Sequence, residues 1–187
     1  MDTLIFWDCT APDGFQLPVS RAVGFLLGKG PEVHESPVLL NGYASSRRQI
    51  DAAAVLDALD IFRHRMKVKA KVLLIIGTDL FRPGDEFLFG LARPSAGVAV
   101  VSTARLCNEY YNLHTDEEIF VDRIAKEGMH ELGHLLGLEH CSDPACIMYN
   151  PQTLEDLDRK KKQFCVSCQE KIDGAAVDDV APPVMQK

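Results

Sequence analysis

Three histidines and a glutamate lie at regular spacing in segment 130–140, which has the sequence HELGHLLGLEH and fits the pattern H-E-x-x-H-x-x-G-x-x-H. Four residues along a helix advance about 400°, so His130 and His134 share one face and both imidazoles can reach one zinc ion. Gly137 can adopt a positive φ that turns the chain and brings His140 back as a third ligand. Three protein ligands leave one tetrahedral position to water, as in catalytic zinc sites, and Glu131 lies beside them.

A second cluster contains four of the six cysteines, namely Cys141, Cys146, Cys165 and Cys168. Two short pairs of thiolates are typical of a closed structural zinc site, and a disulfide pair is the alternative, which a reducing compartment disfavours. Because Cys141 directly follows His140, a metal in this cluster would anchor the turn that delivers the third histidine. The sequence therefore predicts two Zn²⁺ ions, one catalytic and one structural.

The elements that must position these clusters follow from the hydropathy pattern. Strands are predicted at 3–7, 72–76 and 97–102, with an edge strand at 85–92 and a loop where Pro12, Gly14 and Pro18 interrupt the chain. Helices are predicted from about 46 to 66, from a cap at Asp116 to Leu136, and near 154–161. Buried strands flanked by helices predict an α/β (α+β) fold.

Length and composition limit the domain organisation. With 187 residues and 47% hydrophobic residues, we expect one domain at 1–170 and a disordered tail at 171–187. Within the domain, 1–137 would form a sheet-and-helix subdomain carrying the active-site helix, and 138–170 a zinc-bound C-terminal subdomain. The sequence does not predict an oligomeric state.

Charge and hydropathy also exclude some partners. The net charge of −7 disfavours nucleic acid, and we interpret the basic run Arg159-Lys160-Lys161-Lys162 as a solvated helix end. No apolar run reaches the roughly 18 residues that span a membrane, and the first residues lack the basic start of a secretory signal. We therefore expect a cytoplasmic protein that uses neither a membrane nor nucleic acid as a partner.

Together with Met148 two residues beyond Cys146, the two clusters make the chain resemble the archaemetzincins, a branch of the metzincin zinc peptidases. Segments 41–43, 46–49, 79–81 and 89–92 extend the resemblance to roughly residues 1–170. The resemblance implies a compact metzincin-like fold with a mixed twisted sheet, an active-site helix and a zinc-stabilised C-terminal subdomain around a substrate cleft. It also implies that Met148 forms the Met-turn, an apolar floor beneath the imidazoles that does not bind the metal.

The predicted function is a zinc-dependent metallopeptidase, in which Glu131 takes a proton from the zinc-bound water and passes it to the departing amine. We expect the peptide substrate to lie extended along the edge strand, near Phe87, Phe89, Gly90 and Leu91. The alternative is a zinc-stabilised binding or scaffold protein whose intact metal site is not used for turnover. Endopeptidase and aminopeptidase activity both remain open, as does the natural substrate.

Overall fold

The computed structural model describes residues 2–178, which contain eight strands and five helices. In chain order these are β1 (Thr3–Trp7), α1 (Gln16–Leu27), β2 (Glu32–Glu35), β3 (Tyr43–Ala44), β4 (Gln49–Asp51), α2 (Ala52–Arg65), β5 (Lys71–Ile76), β6 (Leu80–Phe81), β7 (Gly90–Arg93), β8 (Val98–Ser102), α3 (Glu117–Leu135), α4 (Leu154–Arg159) and α5 (Val166–Asp178). Short 3₁₀ turns occupy Pro94–Ala96 and Asn108–Tyr111. Within the described chain, no helix is both long enough and apolar enough to cross a membrane.

The main sheet has five strands in the order β2-β1-β5-β8-β7. The first four strands are parallel, and β7 pairs antiparallel with β8 at the edge. A small second sheet contains β3, β4 and β6. This mixed sheet with helices confirms the predicted fold class.

Both faces of the main sheet are covered, because successive side chains of a strand point to opposite sides. Leu73 and Ile75 of β5 pack into a core with α1, α3 and the C-terminal region, whereas Leu74 and Ile76 pack into a second core with α2. Parallel strands buried on both faces read as continuous apolar runs, which explains why β5 and β8 could be predicted from the sequence.

Two predicted boundaries near the N-terminus are wrong. The segment expected to be a loop contains α1, in which Pro18 occupies the third position, where a helix needs no backbone donor. The predicted helix from 46 begins only at Ala52, because Gln49–Asp51 form β4 against β6. Asp51 then caps α2 by accepting a hydrogen bond from the backbone N–H of Ala53 at 2.9 Å.

Two further expectations need correction. The predicted edge strand at 85–92 is regular only from Gly90 to Arg93, and the preceding residues form a loop that touches β6 through a single bridge between Leu80 and Leu88. The tail predicted to be disordered from 171 is helical through Asp178 as part of α5. Residues 179–187 lie outside the described range.

Candidate active site

Helix α3 carries the glutamate and the first two histidines, and residues next to each end of the helix determine where it begins and ends. Asp116 caps the helix by accepting a hydrogen bond from the backbone N–H of Ile119 at 3.0 Å. At the other end Gly137 has φ +90°, and the backbone N–H of Leu138 donates to the carbonyl of Gly133 at 3.0 Å. This turn brings His140 back towards α3, as the sequence predicts.

The three imidazoles converge. The ring centroids of His130, His134 and His140 lie 4.7 to 5.3 Å apart, and one nitrogen from each ring lies within 4.8 Å of the others. His130 is buried, His134 is partly buried and His140 is exposed, so the cluster opens towards solvent on one side.

Backbone carbonyls fix the orientation of two rings. The Nδ1 of His130 lies 2.9 Å from the carbonyl of Ile147, and the Nδ1 of His134 lies 2.8 Å from the carbonyl of Leu138. If each Nδ1 carries the proton and donates, each Nε2 presents a lone pair, and the two Nε2 atoms face each other at 3.1 Å. Facing lone pairs repel unless a cation or a proton lies between them. Two imidazoles oriented by carbonyls, with the His140 ring beside them, therefore fit a zinc ion.

Glu131 lies next to this cluster and is almost inaccessible to solvent. Burial raises the pKa of its carboxyl group well above the usual range, and the charge of Glu127, one helical turn earlier, raises it further. Glu127 in turn pairs with Lys160, whose Nζ lies 3.2 Å from its Oε1 and 3.4 Å from the Nδ1 of His130. Neither residue was predicted to lie at this site, although the spacing of Glu127 from Glu131 places it on the same face of α3.

Lys160 corrects one interpretation of the sequence. Its side chain is fully buried, whereas Arg159, Lys161 and Lys162 are exposed. The basic run is therefore a solvated surface at three positions and an internal ion pair at the fourth. Only the tertiary structure separates these positions, because α4 ends at Arg159 and the chain then turns inward.

Met148 packs against helix α3 within the segment that carries the first two histidines. Met148 is completely buried, and a Cβ on Gly133 would overlap its sulfur atom. Met148 thus packs directly on the helix between the first two histidines, and its role as the Met-turn stays a prediction.

An open cleft of about 590 Å³ runs past the histidines. The loop before β7 and β7 itself form one wall, and α3 and the segment 150–152 form the other. The cleft brings together Phe87, Phe89, Gly90 and Leu91 with the histidine cluster, although Phe89 is mainly a core residue with 6% exposure. Asn150, Pro151 and Gln152 also line the cleft, and no sequence signal singled them out.

The four clustered cysteines also converge, with their sulfur atoms within 4.8 Å of one another. All six cysteines of the chain lie in the described region and are free thiols. Burial raises the pKa of the Cys146 and Cys168 thiols, whereas a hydrogen bond from the backbone of Cys168 lowers that of Cys165. Several thiolates this close together need a cation, and four sulfur donors fit a structural zinc ion.

Comparison with known proteins gives a consistent result. Residues 39–174 match the model of a family described as Peptidase family M54. An archaemetzincin from Pyrococcus furiosus is 39% identical over 133 residues, which cover 71% of this chain and 69% of that protein.

Solved structures are similar over most of the chain. The crystal structure of a zinc-dependent peptidase from Methanocorpusculum labreanum has a TM-score of 0.86 and 40% identity, covering 91% of this chain and 99% of that one. The crystal structure of archaemetzincin from Methanopyrus kandleri has a TM-score of 0.78 and 33% identity, covering 94% and 96% of the two chains.

Proposed function

Because the chain belongs to peptidase family M54, the archaemetzincins, and is a zinc metallopeptidase acting on peptides, we propose that His130, His134 and His140 hold its catalytic zinc and that Glu131 is the general base. The observation that carries this assignment is the pair of Nε2 atoms facing each other at 3.1 Å beside a buried carboxylate in an open cleft. The donor set suits zinc, which prefers nitrogen ligands in tetrahedral geometry.

A zinc ion held there supplies a Lewis acid that activates water and polarises the carbonyl of the peptide bond. Glu131 accepts the proton of the attacking water on its carboxylate and delivers it to the amine of the departing peptide. The carbonyl of Ile147 keeps the His130 ring in its orientation, and the carbonyl of Leu138 does the same for His134. Met148 excludes water from below the rings.

The substrate is proposed to lie extended along β7, beside Phe87, Phe89, Gly90 and Leu91. The carbonyl of Phe89 accepts a hydrogen bond from the N–H of Ser102, and Gly90 lies opposite Val101. Bonded and non-bonded pairs alternate along an antiparallel ladder, so the N–H and C=O groups of Gly90 and Ala92 point away from β8. These edge groups support main-chain pairing with a peptide.

The cysteine cluster is proposed to hold the second zinc ion and to organise residues 138–170 as a subdomain within the domain 1–170. We propose a cytoplasmic location, because four thiols converging on a metal site persist best in a reducing compartment. The net charge of −7 supports the proposal that nucleic acid is not a partner.

The test of the catalytic assignment is Glu131→Gln, which preserves shape and removes the base. Two zinc ions per chain should remain bound, and cleavage of a peptide library should fall by about 10²-fold or more. Glu139→Gln, at an exposed position on the turn, is the matched control and should cleave like the parent. Equal cleavage by Glu131→Gln and the parent would refute the base assignment, and a zinc-loaded parent that cleaves no peptide would favour the scaffold alternative.

A further inference from the structure

The backbone of Gly90 lies directly against the side chain of Glu131. A Cβ placed on Gly90 would lie 2.6 Å from Oε1, 2.8 Å from Cγ and 3.0 Å from Cδ of Glu131. Real Cβ atoms essentially never approach other heavy atoms below 3.0 Å, so any side chain at position 90 requires a displacement.

Backbone conformation does not explain why glycine occupies this position. Gly90 is not among the glycines with positive φ, and it lies in a regular strand paired with β8. Alanine would therefore fit the backbone, and the three atoms nearest to its added Cβ all belong to the glutamate. A side chain at position 90 would therefore displace the Glu131 side chain and would not strain the backbone of β7.

Neither neighbouring element can move aside easily. Strand β7 is held to β8 along its full length from Gly90 to Arg93. Helix α3 packs close to the sheet, since a Cβ on Gly128 would lie 3.1 Å from Leu73. An added methyl group at position 90 must consequently be absorbed by rotation of the Glu131 side chain towards the open cleft.

We propose that Gly90 is a positioning residue for the catalytic base: its missing side chain lets the Glu131 carboxylate rest against the edge strand, where the same strand aligns the substrate. This inference rests on the proposed role of Glu131. It assigns Gly90 a steric function that is separate from its main-chain contact with a peptide, because every substitution except proline keeps that contact.

The first test is Gly90→Ala. The edge N–H survives, so KM should change little, whereas kcat should fall by about 10²-fold because the base is displaced by about 1 Å. Zinc content should remain that of the parent. Gly30→Ala is the matched control, since Gly30 has an ordinary φ and nothing within 4 Å of an added Cβ, and it should leave kcat unchanged.

The second test is a double-mutant cycle with Glu131→Asp, whose shorter side chain withdraws the carboxylate from the added methyl group. Gly90→Ala should then reduce kcat by no more than about threefold on the Glu131→Asp background. A purely structural role of Gly90 would give the same fold-loss on both backgrounds, and that result would overturn the proposal.

The third test needs no catalysis. Gly90→Ala should lower the melting temperature of the parent by about 2–10 °C through overpacking, and should not lower it in Glu131→Ala, where the obstructing carboxylate is gone. Equal melting shifts on both backgrounds would overturn the steric argument. If Glu131→Gln retains full activity while this melting cycle is non-additive, the base assignment fails and the contact stands, so the two failures are distinguishable.

Discussion

Replacing Lys160 by methionine tests whether a buried ion pair supports the floor of the active site. The Lys160 side chain is fully buried and that of Glu127 is 3% exposed, with Nζ and Oε1 3.2 Å apart. Methionine fills a similar volume without a charge, so Lys160→Met leaves the Glu127 carboxylate buried without its partner. An intact buried ion pair contributes little to the free energy of unfolding, but removing one partner leaves an unpaired buried charge and destabilises the protein.

The magnitude follows from the burial. Removing one partner of a buried ion pair destabilises a protein by about 3–5 kcal/mol, because the remaining charge loses its compensation. In a chain of this size each kcal/mol corresponds to about 2–4 °C in melting temperature, so the variant should melt about 6–20 °C below the parent. The double variant Glu127→Gln/Lys160→Met carries no unpaired charge and should recover most of that loss.

The assay is thermal unfolding of the zinc-loaded chain followed by circular dichroism, with metal content measured before each scan. Lys161→Met is the control, since this neighbour is exposed, and it should change stability by no more than about 0.5 kcal/mol. A Lys160→Met variant as stable as the parent, or a double variant no more stable than Lys160→Met alone, would refute the reasoning.

Two other predictions concern the second metal and the substrate. Cys165→Ser should reduce metal content from two zinc ions to one and lower the melting temperature, because metal binding at a closed site contributes folding free energy. Cys9→Ser, at an exposed cysteine outside the cluster, is the control and should change neither quantity. Ala92→Pro removes an edge N–H without touching Glu131 and should raise KM for peptides about tenfold with zinc content unchanged, whereas Ala92→Ser keeps the N–H and should not. Two zinc ions in Cys165→Ser, or an unchanged KM in Ala92→Pro, would contradict these assignments.

The parts of the fold that sequence predicts correctly are those encoded by neighbouring residues. Helix α3 has its cap at Asp116 and its terminating glycine at 137, and β5 is one continuous apolar run. The histidine cluster is also local, since helical spacing and a glycine turn suffice to bring three histidines together. No long-range information is needed for any of these features.

The features that were missed depend on contacts between distant segments. Glu127 and Lys160 are 33 positions apart, and neither position alone distinguishes a buried ion pair from a solvated charge. Helix α1 was missed because its proline and the glycines in and around it resemble loop residues. A Cβ on Gly24 would lie 2.6 Å from the Cα of Gly30, a close approach that only the folded chain reveals. Similarly, β4 exists because β6 pairs with it.

The histidine and cysteine clusters are connected by a short path of backbone hydrogen bonds. The carbonyl of Ile147 orients the His130 ring, and the carbonyl of the next residue, Met148, accepts from the N–H of Cys141 at 2.9 Å. Cys141 directly follows His140 and forms a parallel β-bridge with Tyr149, so one contact links His140, Met148 and the cysteine cluster. Fixing the four sulfur atoms around a cation consequently restricts the same backbone that aims two of the three imidazoles. We therefore propose that a zinc ion in the cysteine cluster would support catalysis by holding the geometry of the histidine cluster.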